Sequence, residues 1–80
     1  MKVYKIYNPE TGLYSAGGTR LNSLWTKNGK AWSINALNGH LRIFKRSCRR
    51  ESSEILELYK KCEIHEFEAE PTVLDIKDFL

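Results

Sequence analysis

No run of apolar residues in this chain is longer than two or three positions, and that limits what it can fold into. A membrane-spanning helix needs about 20 consecutive apolar residues, so no segment is suited to cross a bilayer. Met1-Lys2-Val3-Tyr4-Lys5 has no apolar stretch of the kind a signal peptide requires. Cytoplasmic residence is the expectation. Apolar residues still make up 41% of the 80 positions, nine of them aromatic, which is too apolar for a disordered tail. The length suits a single domain over 1–80, with a small core and a thin stability margin.

The short apolar runs carry the period of strands at both ends and of helices between. Val3 to Tyr7 alternates, with Tyr4 and Ile6 on one side and Val3, Lys5 and Tyr7 on the other. Asn8-Pro9-Glu10-Thr11-Gly12 reads as a tight reversal, in which proline presets φ and Gly12 takes the left-handed conformation. Leu13-Tyr14-Ser15 returns as a second strand, and Ala16-Gly17-Gly18 breaks it. Asn28-Gly29 is the preferred dipeptide of a two-residue hairpin. In that register Trp25 faces Trp32, Thr26 faces Ala31 and Lys27 faces Lys30.

Ser33 is a candidate N-cap for a helix with Ile34, Leu37, Leu41 and Phe44 as its apolar stripe. Gly39 inside it predicts a short or bent helix. The polar stretch from Ser47 to Ser53 interrupts, and Ser52 or Ser53 can cap a second helix with Ile55, Leu58, Tyr59 and Cys62 buried. Glu57 and Lys61 are spaced as an i,i+4 pair. Glu63 to Glu70 alternates again, His65, Phe67 and Ala69 against Glu66, Glu68 and Glu70, as a half-buried edge strand with a charged outer face. Pro71 ends it. A last short helix starts at Thr72 or Asp75 and holds Ile76, Phe79 and Leu80. The expected fold is α+β: a small antiparallel sheet from two N-terminal hairpins and a C-terminal strand, packed with one or two helices.

The net charge of +3 hides a division. Residues 1–50 hold ten Lys and Arg against the single acid Glu10, whereas residues 51–80 hold three lysines against nine acids. Two outcomes follow: the halves neutralise each other, or each meets a partner of opposite sign. For an anionic partner the candidates are Arg42, Lys45, Arg46, Arg49 and Arg50, with Arg20, Lys27 and Lys30 near the two tryptophans. Cations neutralise phosphates and exposed aromatics stack on bases, although no recognised nucleic-acid motif is present. For a basic partner the candidates are Glu63, Glu66, Glu68 and Glu70. Self-association is also open, because edge strands in a small domain gain burial by pairing.

Dedicated chemistry has little footing. His40, Cys48, Cys62 and His65 could bind zinc, but only Cys62 and His65 are close, and paired-ligand knuckles are absent. The expected roles are packing for Cys62 and His65, and the helix flank for His40. Two cysteines in a cytoplasmic chain are expected as free thiols. Gly17-Gly18 lacks the Lys-Ser or Lys-Thr of a phosphate loop. No nucleophile elbow or paired-carboxylate motif occurs, and so small a chain encloses a substrate cavity with difficulty. No catalytic residue, metal or cofactor is expected.

Tyr4-Lys5-Ile6, Thr11-Gly12-Leu13-Tyr14-Ser15 with Gly17-Gly18, Trp25-Thr26-Lys27-Asn28-Gly29-Lys30-Ala31-Trp32, and Leu37 with His40-Leu41 resemble a recurring class of small tailed-bacteriophage accessory proteins. In that class an N-terminal hairpin precedes a Trp-Thr-Lys-x-Gly-Lys-x-Trp element, a helix with a His-Leu pair and an acidic strand. The resemblance covers roughly two thirds of the chain. Residues 45–58 and 71–80 do not share it. It carries over no functional residue. It implies a context in which a small protein redirects or inhibits host machinery, including host defences, by stoichiometric binding. The expected function is a non-enzymatic binder of a host macromolecule, a protein first. The alternative is a nucleic-acid-binding module built on the basic helix and the Trp25–Trp32 hairpin.

Overall fold

A computed structural model describes residues 1–68 and 73–80. Four strands form one antiparallel sheet: β1 (Lys2–Asn8), β2 (Leu13–Ser15), β3 (Trp25–Thr26) and β4 (Glu63–Glu68), in the order β3-β2-β1-β4. Between β3 and β4 run two helices, α1 (Ile34–Arg46) and α2 (Arg50–Tyr59). Short 3-10 turns occupy Leu21–Ser23 and Ile76–Phe79. This is the α+β architecture expected from the sequence.

The first hairpin forms as its residues dictate. The Asn8 side chain accepts from the Glu10 N–H at 3.0 Å, the Asn8 carbonyl accepts from the Gly12 N–H at 2.8 Å, and Gly12 has φ +71°. β1 is the spine of the sheet. It pairs with β4 from Lys2↔Glu68 to Tyr7↔Glu63, but with β2 only at Tyr7↔Tyr14 and Asn8↔Leu13.

The second hairpin does not form. Trp25 and Thr26 pair instead with Ser15 and Tyr14 on β2. Trp32 bridges to Tyr4, exchanging backbone hydrogen bonds of 2.8 and 2.9 Å. The reason lies in the shortness of β2. It leaves β1 beyond Tyr7, and the Tyr4 N–H and C=O would otherwise go unpaired beside the core. Asn28-Gly29 still reverses the chain, but the Gly29 N–H bonds the Thr26 hydroxyl and the Lys30 N–H bonds the Ser15 carbonyl. The two tryptophans therefore part: Trp25 lies edge-on to Tyr59 and Trp32 stacks on His40.

Both helices pack on the sheet face that Ile6 occupies. Ile6, Leu24, Trp32, Leu37, Phe44, Ile55 and Tyr59 form the core. Ser33 caps α1 as expected, accepting from the Ala36 N–H. The helix then runs unbroken for 13 residues, with Gly39 on its exposed side. Its buried stripe is Leu37, His40 and Phe44, with Leu41 partly buried, while Ile34 is exposed. His40 replaces Ile34 because Trp32, drawn onto Tyr4, covers its ring. α2 begins earlier than expected, at Arg50, so neither Ser52 nor Ser53 is a cap. Ser52 is buried on the same face as Ile55 and Tyr59, where a small side chain lets the helix approach. Glu57 pairs with Lys60 at 2.8 Å, not with Lys61.

In β4 the faces are the reverse of those expected. Lys5 pairs with His65 and Val3 with Phe67, on the opposite side from buried Ile6, so His65 and Phe67 point away from the helices. Glu66 and Glu68 share the helix side, near the rim. The expected continuation of the strand through Ala69 and Glu70 to Pro71, and a helix start at Thr72, lie outside the described residues. Asp75 caps the last 3-10 turn by accepting from the Lys77 N–H, but Ile76, Phe79 and Leu80 stay exposed and add nothing to the core. Among the described residues no helix is long and apolar enough to cross a membrane.

Two glycines should respond oppositely to alanine. Gly29 has φ +66°, and a Cβ there would run into the Tyr14 Cβ and stand 3.0 Å from the Ser15 carbonyl oxygen. Gly29→Ala should destabilise by about 1–3 kcal/mol from backbone strain alone. Gly39 has open space around it, so Gly39→Ala should stabilise by up to about 1 kcal/mol. Urea unfolding of both variants measures the contrast.

Candidate interaction surfaces

Arg42, Lys45 and Arg46 all lie exposed on α1, and Arg49 and Arg50 follow, exposed, at its junction with α2. Spacings of i, i+3 and i+4 set Arg42, Lys45 and Arg46 along one side of α1, whereas Arg49 lies past the helix end, in the extended segment before α2. Arg50 reaches Glu54 at 3.5 Å. Among the described residues Arg42, Lys45, Arg46 and Arg49 form no ion pair. Arg20 is exposed just before the first 3-10 turn, and Arg50 lines a groove with its neighbour Leu21. Lys27 is exposed beyond Thr26, and Lys30 lies over the Trp32 ring, 5.8 Å from its centroid. The expected union of basic helix and stacking tryptophans is not made, because Trp32 is only 4% exposed and Trp25 packs on the core.

The acids of β4 have partners. Glu66 pairs with Lys2 at 3.2 Å and accepts from the Tyr4 hydroxyl at 3.2 Å, which holds the Lys2 ammonium above its ordinary range. Glu68 meets the Met1 ammonium at 3.1 Å, and Glu63 meets His65 at 3.2 Å. Glu70 lies outside the described residues. Cross-strand pairing with β1 thus answers much of the acidic strand from within the sheet, and it leaves the cations of α1 unanswered.

Two arrangements were not anticipated. On the open face of the sheet, Tyr7, Tyr14, His65 and Phe67 form one aromatic cluster. Tyr7 stacks on His65 at 4.4 Å and stands 5.1 Å from Tyr14, while Phe67 meets both His65 and Tyr14 at 6.4 Å. The Tyr14 hydroxyl is 2.9 Å from His65 Nδ1. The Lys5 ammonium lies over the rings of Tyr14 and Phe67 and donates to the Asn28 carbonyl. These side chains are part-exposed and no described element covers them. The alternation Val3-Lys5-Tyr7 and the pair His65-Phe67 were both visible in sequence. Their meeting depends on β4 lying beside β1, which no local signal states.

The second arrangement is inside. The Tyr59 hydroxyl is 2.7 Å from Ser15 Oγ and 2.9 Å from His40 Nε2. His40 is therefore a core residue, not a flank residue. Burial pushes the Tyr59 phenol from 10.0 up to about 12 and pushes the His40 imidazolium down, with Lys30 adding to the latter. Serine, tyrosine and histidine in line suggest chemistry, but Ser15 is fully buried and Tyr59 stays protonated at neutral pH. Cys48 is a free exposed thiol. Cys62 is free and part-buried, bonds the Leu58 carbonyl, and has its thiol pushed up by burial. No three His, Cys, Asp or Glu side chains converge to hold a metal ion among the described residues.

No family model, curated protein or solved structure matches the chain.

The buried pair should shape the pH dependence of stability. Above pH 10 the unfolded chain loses the Tyr59 proton while the folded chain keeps it to about 12, so stability falls as pH rises through that window. Below pH 6.5 the unfolded chain takes up a proton that folded His40 resists, so stability also falls as pH drops. Tyr59→Phe should flatten the alkaline limb and His40→Gln the acid limb, read by denaturant midpoints across pH.

Proposed function

We propose that this chain is a non-enzymatic binding protein that acts by stoichiometric contact with another macromolecule. In keeping with its resemblance to phage accessory proteins, the partner is a host protein met in the bacterial cytoplasm. The observation that carries this reading is the open aromatic face of the sheet. Tyr7, Tyr14, His65 and Phe67 are held together by stacking and by Lys5, and they lie on the side the helices leave bare. Clustered aromatic side chains supply much of the energy of protein interfaces. Edge-strand β4 adjoins the same face and offers backbone groups to a partner.

A second reading has its own support. The cations Arg42, Lys45, Arg46 and Arg49 have no acid partner among the described residues, and they suit nucleic-acid phosphates. The two surfaces lie on opposite layers of the molecule, so variants of one leave the other intact.

Capture of partners from bacterial lysate, with and without nuclease, separates the readings. A single host protein that survives nuclease and is lost with Phe67→Ser supports the protein reading. The affinity loss should be at least about tenfold, as for an aromatic interface anchor. Arg46→Glu with Arg49→Glu should then change affinity little. Capture that vanishes with nuclease, together with a salt slope reduced by the arginine variants, would move the function to nucleic acid.

A further inference from the structure

Between the segment that carries Trp32 and the first turns of α1 lies a cleft of about 410 Å3, lined chiefly by Gly17, Lys30, Trp32, Ala36, His40 and Ile43. One wall is apolar, from Ala36, Ile43 and the edge of Trp32. No acidic side chain lines it, and α1 has no acid in its first turn. The volume suits a small organic molecule.

The hydrogen bonds behind the cleft fix what His40 presents to it. Ser15 Oγ accepts from the Gly17 N–H at 3.2 Å, and among the described residues its own proton has the Tyr59 oxygen at 2.7 Å as acceptor. Ser15 is fully buried and must donate there. Tyr59 then donates to His40 Nε2 at 2.9 Å. A neutral imidazole that accepts at Nε2 carries its proton on Nδ1. His40 is 8% exposed, and its hydrogen bond among the described residues is made by Nε2, which leaves Nδ1 without a partner there. No fully buried side-chain nitrogen or oxygen among the described residues lacks a partner, so Nδ1 reaches solvent, and the cleft is where His40 meets it. Trp32 stacked at 5.0 Å and Phe44 edge-on at 4.8 Å hold the ring in place. Lys30 stands at the same opening.

We propose that this cleft binds a small organic carboxylate. The carboxylate accepts from His40 Nδ1–H and from the Lys30 ammonium, and the apolar body lies against Ala36, Ile43 and the Trp32 edge. A fixed neutral donor beside a cation orients one anionic group, and the apolar wall on the other side favours an organic carboxylate over a bare inorganic ion by burying its body. This site is independent of the aromatic sheet face and of the basic face of α1.

The test has two parts. Long-range 1H–15N spectra of the free protein should show His40 protonated at Nδ1. Protonation at Nε2 would overturn the proposal without any ligand. Titration with 3-phenylpropionate should then shift the amides of residues 30–36 and the His40 ring, with a Kd on the order of 1 mM for a ligand of that size. The alcohol 3-phenylpropanol and inorganic phosphate should bind at least tenfold more weakly. Lys30→Met should weaken the acid at least tenfold in a folded protein. His40→Asn, which keeps a donor near Nδ1, should retain more binding than His40→Gln, which keeps only the Tyr59 contact. No shift at roughly ten times the expected Kd, or equal binding of acid and alcohol, or of acid and phosphate, would overturn the proposal.

Discussion

The hydroxyl of Tyr59 is the point on which the layers of this molecule depend. It comes from α2 and hydrogen-bonds both Ser15 at the end of β2 and His40 in the middle of α1. The rings of Trp25, His40 and Phe44 stand within 6.1 Å of the Tyr59 ring, centroid to centroid. A small domain has few large side chains to bury, and it cannot leave a buried hydroxyl unpaired without a cost of about 1–3 kcal/mol. Ser15 extends the same logic into the backbone. Its Oγ accepts from Gly17, its carbonyl accepts from Lys30, and its pairing with Trp25 sets that indole against Tyr59. Three elements and two loops thus meet through polar groups that satisfy one another.

That arrangement separates what was legible in the sequence from what was not. The first hairpin, the Ser33 cap, the existence of both helices and the edge strand rest on local chemistry. Asn8-Pro9 with Gly12, a serine before an apolar stripe, and strict alternation in 63–68 each act within a few residues. The errors that rearrange the fold involve partners far along the chain. Asn28-Gly29 does reverse the backbone, but a three-residue β2 leaves Tyr4 open, and the backbone groups of Trp32 gain more there than opposite Trp25. His40 carries no apolar signature, yet Trp32 on one side and Tyr59 on another make it a better core residue than Ile34. Ser52 resembles a cap because its small polar side chain suits one. It is buried because the same smallness suits close packing.

The candidate surfaces divide in the same way. Exposure of Arg42, Lys45 and Arg46 followed from helical spacing and could be read directly, while Arg49 falls at the break between the helices and not on the i+7 position of one continuous helix. The aromatic face could not, since it joins residues 5–14 to residues 65–67 through strand order alone. The expected inward face of β4 also depended on that order. His65 and Phe67 look like buried residues between glutamates, and they become surface because β1 fixes Ile64, not Phe67, opposite Ile6.

Charge segregation along the chain therefore resolves in space rather than by count. β1 brings Lys2 and the Met1 ammonium to Glu66 and Glu68, and α2 uses Glu54 and Glu57 on Arg50 and Lys60. Glu51 is drawn inward to accept from the Leu21 N–H at 2.8 Å. Many of the acids are thus consumed by neighbours that strand pairing and helix spacing impose. The cations of α1 face solvent on the helical layer, where the acids of the neighbouring α2 are turned to Arg50, Lys60 and the Leu21 N–H. A modest net charge consequently coexists with a strongly positive helix surface, and at physiological salt such a field persists over about 8 Å. That is long enough to steer an anionic partner to α1.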